Sequence, residues 1–141
     1  MGAKGARQVA AASVPTGLID TDILIDVSRG FPDAVAFLSQ LHATSIVRAS
    51  MITAMELIVG CRNKAELRNV QSFLRTLVVL PVDESISQTA YNLMERYYLS
   101  HGLMIPDALI AATALAHGLT LFTKNTRHFQ MIPSLVIIRP Y

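Results

Sequence analysis

The sequence has one cysteine, Cys61, in 141 residues, so no disulfide can close within the chain, and no cysteine or histidine stands near it at a metal-site spacing. A reducing, cytoplasmic setting is expected. Charge is also sparse: 16% of residues are charged against 52% apolar, a balance that excludes bulk disorder. Yet no apolar run approaches the roughly 20 residues needed to cross a bilayer, and no membrane partner is expected. Residues 1–16, MGAKGARQVAAASVPT, carry Lys4 and Arg7 but lack the apolar block of a secretory signal; they are expected to form a loose tail. The formal net charge of +2 is too small to argue for nucleic acid by itself. No internal repeat or low-complexity linker divides the remainder. A chain of this length buries about two-thirds of its unfolded surface, so residues 17–141 are expected to form one domain.

What is present is an alternation. GLID (17–20), SIVRAS (45–50), LVVLPV (77–82), LTLFT (119–123) and LVIIRP (135–140) are short apolar strand candidates. Between them lie helix candidates: TDILIDVSRG, stopped by Gly30 and capped by Thr21 or Asp22; Phe31 to His42, with Pro32 near its start; MITAMELIVGCR; and Lys64 to Thr76. Glu84 to His101 and Pro106 to His117 follow, ended by Gly102 and Gly118. Continuous apolar strands alternating with helices predict the α/β class: a largely parallel sheet of four to five strands covered by helices on both faces.

In open sheets of this kind ligands bind beyond the carboxyl ends of the strands. The polar residues at such places are Asp20, Asp22, Ser50, Glu56, Asp107, Thr123 and Asn125. Glu56 shares a helix stripe with Ile52, Met55, Val59 and Gly60, and a carboxylate buried there needs a cation or hydrogen-bond donors; a partly exposed helix edge explains it as well. Asp107 follows Pro106 in the first turn of a nearly all-apolar helix, where the helix dipole favours a carboxylate without any active site. Taken together, Asp20, Glu56 and Asp107 come from distant segments to the edges of apolar elements. Brought within a few ångströms they would repel one another unless a divalent cation sat between them. Oxygen-only ligands select Mg²⁺ or Mn²⁺, the arrangement of metal-assisted phosphodiester hydrolysis. Asp22 is a helix cap or a contact to the metal's waters, and Asp26, one turn on, a supporting or salt-bridging residue.

LIDTDILID, ITAMELIVG, IPDALIAATALAHGLTLFTKNTRHF and the closing PSLVIIRPY resemble, in this order, the successive motifs of the PIN-domain family, in particular its VapC-type toxins. The resemblance covers residues 17 to 141. It implies a three-layer α/β/α sandwich and Mg²⁺- or Mn²⁺-dependent endoribonuclease activity. It also implies a homodimer and inhibition by a cognate VapB-type antitoxin protein. By the same resemblance Asp20, Glu56 and Asp107 are the catalytic, metal-holding acids, supported by Thr123 and Asn125; Asp22 joins these supports by its position, as a cap or a contact to the metal's waters. Many relatives have a fourth acid at or near the position of His128; here no acid follows Asp107, and His128 is expected to be a surface or RNA-contacting group.

For the RNA backbone, Lys124 and Arg127 flank the expected site most closely, ahead of Arg48, Arg62, Lys64 and Arg68. Two other functions compete. Strand-then-DTD also resembles the nucleophile motif of haloacid-dehalogenase-like phosphatases, although that chemistry wants a late pair of acids that this chain lacks. A PIN-like scaffold that binds RNA or protein without catalysis is the other.

Overall fold

The computed structural model describes residues 16–141; nearly all of the expected tail, residues 1–15, lies outside the described residues. The order of elements is β1 (Gly17–Ile19), α1 (Thr21–Ser28), α2 (Pro32–Thr44), β2 (Arg48–Ser50), α3 (Met51–Val59), α4 (Lys64–Leu74) and β3 (Val78–Leu80). Then follow α5 (Glu84–His101), α6 (Ile105–His117), β4 (Thr120–Phe122), a 3-10 turn (Thr126–His128) and β5 (Ile137–Ile138). Local chemistry accounts for many of the boundaries. Asn63 and Asp83 cap α4 and α5 by accepting from the main-chain N–H groups of Glu66 (2.9 Å) and Ile86 (2.8 Å). Gly118, at φ 61°, takes the left-handed conformation that turns the chain out of α6 straight into β4.

All five strands are parallel, in the order β3-β2-β1-β4-β5. The expected strand runs are longer than the observed ladders: SIVRAS pairs only over Arg48–Ser50, and Ile46, before it, is exposed. Side-chain alternation splits the core in two. Leu18 and Leu121 face α5 and α6, against Ile86, Leu93, Ile110 and Ala111. Ile19 and Phe122 face the other way, onto Ile23 and Leu24 of α1, Leu38 and Leu41 of α2 and Leu57 of α3. Helices therefore cover both faces of the sheet, the three-layer arrangement expected. Among the described residues no helix is long and apolar enough to cross a membrane.

From β1 the chain winds outward through β2 to β3, then returns to the opposite side of β1 to lay down β4 and β5. The winding reverses between β1 and β4, and a crevice opens there beyond the strand ends. This pair is closely fitted. Gly17 lies opposite Thr120, and a Cβ on Gly17 would come within 2.0 Å of the Phe122 ring. That ring is in turn packed edge-on against Phe37, centroids 5.1 Å apart. Gly17→Ala is expected to lower the unfolding free energy by about 1–3 kcal/mol through overpacking, measured by urea denaturation; an unchanged midpoint would show that the ring has room to move.

Candidate active site

Asp20 is the first residue beyond β1. Its N–H donates to the Phe122 carbonyl (2.9 Å), which extends the β1–β4 ladder and fixes the Asp20 Cα at the switch point. Asp20, not Thr21 or Asp22, is the N-cap of α1; its Oδ1 accepts from the Thr21 N–H at 2.8 Å. Oδ2 accepts from the Thr123 hydroxyl at 2.7 Å. Thr123 occupies the equivalent place beyond β4, and its Oγ1 accepts from the Asn125 N–H (3.0 Å). That acceptor role leaves its single proton for Asp20. Asp20 is 5% exposed. Burial, reinforced by the neighbouring charge of Asp22 and more weakly by that of Asp107, pushes its carboxyl up to about 7, against the pull of the Thr123 and Thr21 hydrogen bonds.

Glu56 reaches the same crevice from α3, which starts at the end of β2 with Ser50 as its cap. Glu56 Oε1 accepts from the Thr21 hydroxyl at 2.7 Å, and that hydroxyl is paired at 2.9 Å with Thr53, one turn before Glu56. Thr21 thus touches two acids, Asp20 through its main chain and Glu56 through its side chain. In the sequence Thr21 was a candidate helix cap only and Thr53 was not singled out; the available signal was a threonine directly after Asp20 and another three residues before Glu56.

Asp107 is in the first turn of α6, with Pro106 preset for the helix before it. Its carboxyl is raised by burial; His128 opposes this, and the charges of Glu56 and Asp22 add to it. His128 Nδ1 lies 3.1 Å from Asp107 Oδ2. The fully buried Phe129 anchors the 3-10 turn next to it. His128 is exposed, as expected of a surface group, yet it is also the hydrogen-bond partner of the third acid.

The remaining expected residues divide. Asp22 accepts from its neighbour Ile23 N–H through Oδ1 (2.8 Å) and from the Lys124 N–H through Oδ2 (2.9 Å), so it joins α1 to the segment after β4. Asn125 reaches the site through its main-chain N–H. Arg127 is exposed on the 3-10 turn. Lys124, expected to contact RNA, has its ammonium paired with Asp26 and lying over the rings of Phe31 and Tyr141. A phosphate would have to compete with a carboxylate already in contact, which lowers the carboxyl of Asp26. Arg62 is paired with Glu66, on the surface.

Four carboxylates, Asp20, Asp22, Glu56 and Asp107, therefore surround one crevice, and among the described residues no Lys or Arg forms an ion pair with any of them. The expected closeness is only partly present. The acids raise one another's proton affinity, but among the described residues no three acidic, histidine or cysteine side chains gather into a shell that could hold an ion unaided. Asp20, Glu56 and Asp107 are instead held on Thr123, Thr21 and His128. The donor chemistry fits a hard divalent cation: uncompensated oxygen ligands, few in number. Mg²⁺ suits such a set because it keeps several waters and takes only one or two carboxylates along with substrate phosphates.

The PIN domain family model matches residues 17–133. The chain belongs to the PIN-domain family. Within it, several relatives are named ribonuclease VapC. Ribonuclease VapC19 of Mycobacterium tuberculosis is 39% identical over 120 residues, covering 84% of this chain and 95% of its own length. Ribonuclease VapC10 of the same organism is 38% identical over 119 residues, covering 84% and 89%. In three dimensions this PIN domain is similar to a chain of a toxin–antitoxin complex from Klebsiella pneumoniae. The TM-score is 0.73 at 32% identity, over 89% of this chain and 98% of that one. Membership removes the dehalogenase-like alternative.

Proposed function

We propose that this PIN domain is the toxin of a toxin–antitoxin pair: an endoribonuclease that hydrolyses RNA phosphodiesters with Mg²⁺ or Mn²⁺, held in check by a VapB-type antitoxin. The observation that carries the reading is Asp20, a buried carboxylate at the switch point, backed by three further acids and given a hydroxyl donor but no cation. A ribonuclease relative at 39% identity and a likeness to a toxin–antitoxin complex support the substrate class and the partner. Asp20, Glu56 and Asp107 would hold the ion, which when bound supplies Lewis-acid activation of water and phosphodiester. The protein's own contribution is order. Thr123 fixes Asp20 Oδ2, Thr21 fixes Glu56 Oε1, and His128 holds Asp107 Oδ2, so the acids need little rearrangement on binding. By the same reading the chain works in the cytoplasm as a homodimer.

The test is direct. Purified chain, incubated with transfer and ribosomal RNA and Mn²⁺ or Mg²⁺, is expected to cut internally and to stop when EDTA is added. Cleavage that persists in EDTA would refute the metal. RNA binding without any cleavage would favour the non-catalytic scaffold.

A further inference from the structure

Lys124 follows Thr123 in a segment that belongs to no strand or helix, yet its polar groups are all engaged. Its N–H donates to Asp22 Oδ2 (2.9 Å), and its carbonyl accepts from Arg139 Nη1 (3.1 Å). Its ammonium pairs with Asp26 Oδ2, 5.9 Å from the centre of the Phe31 ring and 5.6 Å from that of Tyr141. The two rings are themselves 5.7 Å apart. The Tyr141 hydroxyl donates to the same Asp26 oxygen at 2.9 Å, and Arg139 Nε donates to the Tyr141 carbonyl (2.9 Å). Partial burial, with Asp26 as acceptor, holds the Tyr141 hydroxyl well above the ordinary tyrosine range, so it remains a donor at any working pH.

A lysine that served a passing phosphate would extend into water. This one is flanked by aromatic faces, which favour a cation, and neutralised by a carboxylate. What it can do is hold down its own backbone. The segment it holds, Thr123 to Asn125, delivers the donors to Asp20 Oδ2 and Asp22 Oδ2. We propose that Tyr141, with Asp26 and Arg139, is a positioning latch: by gripping Lys124 from outside, it keeps Thr123 and Lys124 aimed at the acids. The inference rests on the ribonuclease reading for its kinetic test, and on that alone.

The experiment compares the full chain with Tyr141→Ala, Tyr141→Phe and Asp26→Asn. Loss of groups that orient metal ligands costs about 10–100-fold. Tyr141→Ala is therefore expected to lower kcat at least about tenfold with KM for RNA within about twofold, and to raise the Mn²⁺ needed for half-maximal binding in calorimetry. Tyr141→Phe, which keeps the ring and loses only the hydroxyl, recovers most of the loss, and Asp26→Asn falls between. By amide hydrogen exchange the Lys124 N–H loses protection in Tyr141→Ala while the N–H groups of α6 keep theirs. A lower melting temperature in Tyr141→Ala with unchanged kcat and Mn²⁺ affinity would overturn the latch and leave a purely structural cluster. A raised KM with unchanged kcat would overturn it in favour of direct RNA contact. Should the unmodified chain cut no RNA, the ribonuclease reading fails, and the latch stands or falls on Mn²⁺ affinity and Lys124 exchange.

Discussion

Asp20→Asn is expected to abolish RNA cleavage, by at least about 10³-fold, since it removes several kcal/mol of metal-derived stabilisation of the transition state. The same change should make the metal-free protein more stable at neutral pH. The Asp20 carboxyl is raised in the folded chain from 3.8 to about 7. Below pH 4 it is protonated whether folded or unfolded, and stability carries no penalty. Between pH 4 and 7 the unfolded chain gives up this proton first, so stability falls as pH rises and levels off above 7, by about 4 kcal/mol at most. Asparagine never ionises, and this part of the pH dependence should vanish. The site can accept the amide: Thr123 Oγ1 already accepts from the Asn125 N–H and has a lone pair left for the new N–H₂. Its own proton can turn towards Asp22 Oδ2, 3.5 Å away. Urea denaturation in EDTA at pH 5 and pH 8, with the cleavage assay alongside, checks both halves. Full activity would refute the assignment of Asp20, and an unchanged slope with pH would refute its high proton affinity.

Thr123→Val is expected to move stability in the opposite direction. The shape is kept and the hydroxyl lost from a fully buried position, which leaves the Asp20 carboxylate one donor short. A hydrogen bond to a charged group contributes about 1.5–3 kcal/mol, so the metal-free protein should lose about that much above pH 7. Less should be lost at pH 4, where Asp20 is protonated. The Asp20 carboxyl should rise above its present value of about 7, because a hydrogen bond favouring the charged form is gone. Cleavage should fall about 10–100-fold, and Thr123→Ser should restore most of it. A valine variant indistinguishable from the unmodified chain in both assays would show that Thr123 only fills space.

The layers of the fold were legible because they rest on local signals. Five apolar runs became five parallel strands, and proline, glycine and capping residues marked helix ends to within a few residues. What the runs overstated was length, since a ladder needs a partner as well as apolar side chains, and Ile46 has none. Asp20, Glu56 and Asp107 were legible as acids out of place on apolar elements. Their supports were less so. Thr21 looks like a helix-start threonine, and only the fold brings its hydroxyl to Glu56, 35 positions away. The surroundings of Lys124 were hidden for the same reason: a basic residue near a cluster of acids suggests phosphate, and only the fold brings Asp26 and Tyr141 to it across 98 and 17 positions. Capping of α1 went to Asp20 because the backbone is still extended there (φ −71°, ψ 156°), a conformation the DTD run does not reveal.

The reversal of winding between β1 and β4 also governs when the site comes into being. Asp20 and its donor Thr123 are separated by 103 positions, with the six helices α1 to α6 between them. During translation Asp20 therefore emerges well before Thr123 and waits for it. Until β4 is complete, β1 has an open edge on that side, Thr123 is not in place, and the crevice has only one wall. On the proposed ribonuclease reading, RNA cleavage is therefore expected only after nearly all of the described chain has been made. Closing so distant a contact is also slow compared with helix formation, so the hydrogen bond that orients Asp20 is expected to form later than the helices that carry the other acids.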